Sequence, residues 1–334
     1  MSTPATTPAS TRPTTGPGAT TGHPDHPARH DVVVVGGGPA GLQAALTLGR
    51  MHRRVLVLDA GGYRNDPADL MHNFLTHDGR PPAEFRALGR AELATYDTVE
   101  VRDLAATSVV PDGDGFLVGT DAGNVATRLV VLATGVRDTL PDKPGLEELF
   151  GTVAAHCPFC HGHEYAGRPV AVLGSHAHVG RVAAMLAPIA SELVVLTDGG
   201  DLDAENAAQL AGLGAAVRTE PVSGFCRSSL GARVSFGSGS DVEVGGVLVA
   251  TAFEQSAPFA ADLGLTLLGS GCVEVDEMGR TSLPGVFAAG DLAHLATLPM
   301  PMSSVLGSAA AGQLAAVACV GELIARDAGV LVPA

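Results

Sequence analysis

The sequence predicts an α/β fold of two Rossmann-like dinucleotide-binding domains, the second inserted into the first. Three observations carry that expectation. A complete strand–glycine turn–helix–strand unit stands near the N-terminus, "HDVVVVGGGPAGLQAALTLGRMHRRVLVLDAGG". A partner segment, "LPGVFAAGDLAH" at 283–294, stands near the other end. Between them runs a second βαβ outline: "RPVAVLG" as strand, "SHAHVGRVAAMLAPIA" as helix, "ELVVLTDGG" as strand. Such duplication of a βαβ unit is itself a long-period repeat.

The boundaries follow from this order. Residues 1–29, rich in Thr, Pro, Ala, Ser and Gly and without an apolar stretch, are expected to be a disordered tail and not a secretory signal. Residues 30–145 and 268–334 form the discontinuous first domain. Residues 146–267 form the insertion, with "VGGVLVATAF" (244–253) as its late strand. The net charge of −15 argues against nucleic acid and anionic membrane surfaces as partners. The most apolar stretch, "SVLGSAAAGQLAAVACVGELIA" from Ser304, is interrupted by Gln313 and Glu322 and reads as a buried helix of a soluble fold, so no membrane span is expected. Five cysteines are too few and scattered for a disulfide scaffold, which points to the cytoplasm. Cys226, Cys272 and Cys319 read as inert buried thiols.

In the N-terminal unit, Val32 to Val35 make the apolar, β-branched run of a buried parallel strand. In the turn "GGGPAG", Gly36, Gly38 and Gly41 keep G-x-G-x-x-G register, with Pro39 and Ala40 between the last two. Gly36 permits the tight turn, Gly38 lets the backbone approach a pyrophosphate, and Gly41 lets helix and strand pack closely. The helix N-terminus offers free N–H groups and a positive dipole end to phosphates. The next strand, Val55 to Leu58, ends on Asp59, placed to accept hydrogen bonds from a ribose.

"LPGVFAAGDLAH" gives a short strand, the pair Gly290-Asp291 and then a helical segment. With "LVVLATG" (129–135) it resembles the flavin-binding segments of two-dinucleotide-domain flavoprotein oxidoreductases. That resemblance implies FAD as cofactor, with Asp291 on its ribityl chain and the following helix aimed at the flavin.

Over residues 30–325 the chain resembles low-molecular-weight thioredoxin reductases, through GGGPAG, the ATG segment, a C-x-x-C opening the insertion, and GVFAAGD. "CPFCHGHE", with "GGYRND" and "LMHNFLTHDG" upstream, is similar more narrowly to the thioredoxin-reductase-like dithiol oxidases. Those close the disulfide of natural products such as gliotoxin, holomycin and romidepsin. This resemblance implies that Arg64, Asn65, His72 and Asn73 lie along the FAD, Ala106 by the adenine, and Ser304 and Val305 facing the flavin. It also implies a homodimer.

The second outline departs from a reductase. A nicotinamide site needs another glycine turn and, for NADPH, cations at the 2′-phosphate. The turn here reads Gly174-Ser-His-Ala-His-Val-Gly180, with His176 and Val179 at the second and third glycine positions. Asp198 and Asp201 follow the next strand, and Arg181 is the only cation nearby in sequence. NADPH binding is not expected, although Asp198 could serve an NAD ribose.

The pair in "HCPFCHGHEY" has several readings. Cys157, Cys160, His161 and His163 crowd into seven residues with no second knuckle, which argues against zinc, and no metal is expected. A static disulfide closing so small a loop adds little stability. A redox pair suits the spacing, because i and i+3 at a helix start share a face and the dipole favours thiolate. Thioredoxin reductases place an Asp directly after the second Cys; here His161 stands there, with an unperturbed pKa near ~6.5 suited to proton transfer. His156 and His163 compete for that role. The fold analogy puts Cys160 against the flavin and Cys157 toward substrate.

The expected activity is FAD-dependent oxidation of a small-molecule dithiol, with O2 as acceptor giving H2O2, in natural-product biosynthesis or self-protection. A thioredoxin or disulfide reductase fed by NAD(P)H or another donor is the alternative. A non-catalytic thiol-sensing flavoprotein is the third reading. "LATLPMPMSSV" offers adaptable apolar surface at Met300 and Met302, and no site is assigned there.

Overall fold

The computed structural model describes residues 29–329, so the tail expectation for 1–28 lies outside the described residues. The first domain opens with β1 (His30–Val35), α1 (Pro39–Arg50), β2 (Val55–Asp59), α2 (Pro82–Leu93) and β3 (Val99–Asp103). A hairpin of β4 (Ala106–Asp112) and β5 (Gly115–Thr120) follows, then β6 (Gly123–Leu132) and β7 (Val136–Thr139). Strands β3, β2, β1 and β6 lie side by side in parallel. The first half of β6 pairs antiparallel with β5, its second half parallel with β1. Val32, Val33 and Val34 are fully buried, as a strand covered on both faces requires.

The insertion contains β8 (Ala154–Ala155), α3 (Pro158–His161), β9 (Pro169–Leu173), α4 (Val179–Leu186), β10 (Glu192–Leu196), α5 (Ala204–Gly212) and β11 (Ala216–Arg218). An antiparallel trio, β12 (Val222–Arg227), β13 (Ala232–Phe236) and β14 (Val242–Val244), precedes β15 (Gly246–Val249). Its sheet runs β11-β10-β9-β15-β8, all parallel. Helix α4 begins at Val179, because Ser175 to His178 are used in the turn.

The chain then returns through β16 (Ala252–Gln255), α6 (Phe259–Asp262), β17 (Val273–Glu274), β18 (Val286–Ala288), β19 (Ala293–His294) and α7 (Val305–Ala328). Strand β18 joins the first sheet beside β6. Three expectations change here. The insertion ends after β15 rather than near 267: β16 pairs with β7, and Phe259, Ala260 and Leu265 pack in one core with Val33, Leu56 and Val130. At its start, Leu140 and Leu146 already pack on the insertion's core. No helix directly follows Gly290-Asp291; a short strand and a loop intervene, and the helix starts at Val305, after Pro299 and Pro301.

Helix α7 is, contrary to the sequence expectation, long and apolar enough by length and composition to cross a membrane. Its packing assigns it to the fold. Ala315, Ala316, Cys319 and Leu323 are buried in one core with α1 residues Ala44, Ala45 and Leu48. At the crossing, a Cβ on Gly312 would stand 2.0 Å from Ala40 O, so only a glycine lets the backbones approach this closely. The other face of α7 exposes Leu306, Leu314, Val317 and Ile324. Cys272 and Cys319 are buried, but Cys226 is exposed, because it falls on the outward side of β12.

Candidate active site

A cavity of about 1230 Å³ runs from the glycine turn of β1–α1 to the cysteine pair. Its lining includes Gly36, Gly38, Pro39, Ala40, Asp59, Arg64, Asn65, His72, Ala106, Gly290, Asp291, Ser304, Val305, Cys157, Cys160, His156 and His161. Three expected residues stand outside that lining. Gly41 lies beneath the turn, where a Cβ would meet Gly36 O at 1.9 Å. Asn73 is exposed, with φ +62, and its N–H donates to Asp78 Oδ1 at 2.7 Å. His163 is exposed on the short helical turn after α3.

The residues present fit a flavin dinucleotide. Gly36 adopts φ +117 and brings the turn against Ala133, while no atom lies within 4 Å of where a Cβ on Gly38 would stand. No described side chain caps α1, so its first N–H groups remain available to a pyrophosphate. Asp59 is buried; Oδ2 accepts from Tyr63 Oη at 2.5 Å and Arg90 Nη2 at 2.6 Å, and Oδ1 accepts from Gly61 N at 3.1 Å. One lone pair on Oδ1 is left for a ribose hydroxyl. Burial alone would raise this carboxyl; the bonds from Tyr63, Gly61 and Arg90 outweigh it and hold it below the ordinary range. The Tyr63 phenol is pushed up to about 12, by burial first and then by Asp59.

Asp291 accepts from Ser308 Oγ at 3.1 Å and from Arg64 Nη1 at 2.8 Å. The Arg64 guanidinium also grips Asp138 on β7 through Nε and Nη2, at 2.7 and 2.8 Å, and donates to Ser303 Oγ at 2.9 Å. Asp138 accepts in turn from Thr251 Oγ1 at 2.8 Å, just before β16. Arg64 therefore ties Asp291 to the ribbon that carries the insertion. Burial would raise Asp138, but Arg64 holds it below its ordinary value. Burial would lower Arg64, but its two carboxylates push it up.

Cys157 and Cys160 are joined as a disulfide, with Cα atoms 5.3 Å apart, Cys157 capping α3 in extended conformation. Phe159 between them is 70% exposed, so this turn presents an apolar side chain to solvent beside the sulfurs. His156 stacks on Phe150 with centroids 5.7 Å apart; burial first, then Arg64, lowers its pKa. His161 Nε2 lies 3.2 Å from Gly151 O, and its Nδ1 is buried with no partner among the described residues. Burial lowers the His161 pKa, against smaller opposing effects of Gly151 and Glu164. His72 lies 3.6 Å from Glu164 and 3.5 Å from Asp78, linking its loop to the turn after α3.

The second cradle is filled by the protein itself. Asn206 Oδ1 accepts from Gly180 N at 2.8 Å at the start of α4, and Asn206 Nδ2 donates to Ala177 O at 3.3 Å. The His176 ring covers Gly174, and its Nδ1 accepts from His178 N at 3.3 Å. None of residues 174–180 lines the large cavity. Asp198 is paired with Lys143 at 2.7 Å, a cation far from it in sequence.

The family model for pyridine nucleotide-disulphide oxidoreductases matches residues 30–316. The chain belongs to this family. It is 33% identical over 314 residues to the thioredoxin reductase tcpT of Claviceps purpurea (strain 20.1), covering 88% of this chain and 95% of that protein. To the thioredoxin reductase aclD of Aspergillus oryzae (strain ATCC 42149 / RIB 40) it is likewise 33% identical, covering 88% and 96%. The crystal structure of HlmI superposes with a TM-score of 0.83 at 33% identity, covering 91% of this chain and 95% of that one. The fold is that of thioredoxin reductases, and the chain is a flavin-dependent oxidoreductase of that type.

Sequence reasoning missed Arg90, Asp138, Phe150, Gly151, Asn206 and Ser308. Arg90, Asp138, Asn206 and Ser308 act through partners 17 or more positions away, and Phe150 and Gly151 meet His156 and His161 at no motif spacing, so the sequence carries no mark of them. Tyr63 stood inside the quoted "GGYRND", four residues after Asp59, and that proximity was its signal.

Proposed function

We propose that this chain is an FAD-dependent dithiol oxidase that closes an intramolecular disulfide in a small molecule, with O2 as final acceptor and H2O2 as product. The observation that carries this reading is an asymmetry. The cysteine pair opens onto the intact dinucleotide cradle, while Asn206 and His176 fill the other. NADPH is accordingly not a cofactor in this reading.

The cysteine chemistry balances in two displacements. A substrate thiolate attacks Cys157 Sγ, forming a mixed disulfide and releasing Cys160 as thiolate. His161 Nδ1 takes the proton from the substrate's second thiol. That sulfur attacks the substrate sulfur of the mixed disulfide, and Cys157 leaves. The product departs as a disulfide, and the enzyme holds a dithiol. FAD, when bound, supplies the oxidant for that dithiol and the route of two electrons to O2. Arg64 and Ser308 orient Asp291 for the cofactor, and α1 offers its N–H groups to the pyrophosphate.

A second reading, a disulfide reductase fed by NAD(P)H, draws on the names of the relatives. One comparison separates the two. Purified yellow protein is mixed without air, once with a small dithiol and once with NADPH. Bleaching by the dithiol, with turnover and peroxide when air is admitted, supports the oxidase. Bleaching by NADPH with transfer to thioredoxin overturns it. Cys160→Ser should keep FAD yet abolish dithiol turnover.

We further propose that the enzyme works as a cytoplasmic homodimer, with the exposed α7 stripe of Leu306, Leu314, Val317 and Ile324 as the surface suited to a second copy. Sedimentation of a Leu314→Asp, Val317→Asp variant as a monomer would support that surface.

A further inference from the structure

We propose that Gly151 is a positioning residue that fixes the tautomer of His161, leaving Nδ1 as the ring atom that takes the substrate's proton. This rests on the dithiol-oxidase reading above. A carbonyl only accepts, so a bond from His161 Nε2 to Gly151 O places the ring proton on Nε2. The neutral ring has one proton, and Nδ1 then carries a lone pair. Nδ1 is buried with no partner among the described residues, on a side chain that lines the cavity beside both cysteines. A buried acceptor without a donor costs stability, and such groups recur where chemistry uses them.

The carbonyl is itself held from two sides. Gly151 N donates to Ala154 O at 2.8 Å, closing the turn before the cysteine pair. Gly151 adopts φ +88, and a Cβ there would stand 2.1 Å from Pro67 O. Only a glycine satisfies both conditions. Pro67 belongs to the first domain, three residues after Arg64, so the loop that grips Asp291 also seats the acceptor of His161. Charged and titratable neighbours reach His161 from three elements: Glu164 from the turn after its helix, His72 from the loop before α2, and His156 from before the pair. None of these makes a hydrogen bond to the ring among the described residues. The carbonyl alone selects the tautomer.

The direct test needs no substitution at Gly151. The protein with bound FAD is labelled with ¹⁵N in its 12 histidines, and the His161 signals are assigned by their loss in His161→Gln. At neutral pH the expected pattern is a protonated Nε2 and a bare Nδ1; a protonated Nδ1 overturns the proposal. In kinetics, Gly151→Ala should lower kcat about fivefold, the size of one neutral hydrogen bond, with KM unchanged. It should also move the acid limb of the pH profile to lower pH, since the lost bond favours the charged ring. An unchanged profile and kcat in a folded, yellow variant overturns the proposal. His161→Gln separates the two layers, because glutamine can still donate to Gly151 but offers no base at Nδ1. Full turnover in His161→Gln would sink His161 as base, and the function assigned to it. Lost turnover in that variant together with a protonated wild-type Nδ1 would sink only the role of Gly151.

Discussion

Replacing Arg64 by Met should destabilise the flavin-bearing domain by about 3 kcal/mol at pH 7, at the lower edge of the range for breaking a buried ion pair. The perturbation removes a guanidinium that makes three hydrogen bonds to two carboxylates and one to Ser303. The Arg64, Asp138 and Asp291 side chains are only 17%, 7% and 17% exposed, so water screens them poorly. Two unit charges at ~4 Å interact by about 4 kcal/mol at an effective dielectric of ~20, which agrees in scale. The pH dependence fixes the cause. In the wild type Asp138 is held below its ordinary value, so its contribution is present at neutral pH and lost as pH falls through the carboxylate range. In the variant burial, the largest effect, is opposed only by His156 and the Thr251 hydrogen bond; it raises Asp138, and protonation then relieves the penalty. The difference between the proteins should therefore shrink below about pH 5. The assay is urea unfolding in excess FAD, following flavin fluorescence, which isolates the transition of the first domain in a two-domain chain. A difference under about 1 kcal/mol, or one constant from neutral to acid, would refute the reasoning.

Two further substitutions test the packing behind the site. Gly312→Val should force α7 off α1, because its Cβ would meet Ala40 O; a cost of about 3 kcal/mol and loss of yellow colour on desalting are expected. Asn206→Ala should leave the buried Gly180 N–H without its acceptor and cost about 1–2 kcal/mol by thermal unfolding, without creating any bleaching by NADPH.

What the sequence disclosed was local. The β1–α1–β2 unit is contiguous, its strands are apolar runs, and its glycines stand at fixed offsets, so each residue's task follows from its neighbours. The cysteine pair was legible for the same reason. Arg64 was expected to lie along the cofactor, but its grip on Asp138 and Asp291 joins residues 74 and 227 positions away, and no pattern announces that. Asn206 reaches Gly180 from a different helix, 26 positions on. The expected helix after Asp291 failed against two prolines that were visible in "LPMPM", where proline removes donors and clashes with the preceding turn. The insertion's far border was misplaced because a two-stranded ribbon has no composition of its own; only the pairing of Ala252 with Thr139 reveals it. Strict alternation from buried Val222 would turn Cys226 inward; the register shift between Val222 and Gly224 moves the phase by one, so Phe225 is buried and Cys226 exposed, and nothing in "VSGFCR" announces that shift.

The facing of Ala252 and Thr139 has an architectural consequence. The chain enters and leaves the insertion at one rung of a single ladder. Cutting it out would leave loose ends already close enough for a tight hairpin turn to splice, and the parent sheet would keep its strand order. A module moored this way is a graft, free to acquire or shed a ligand without rewiring its host.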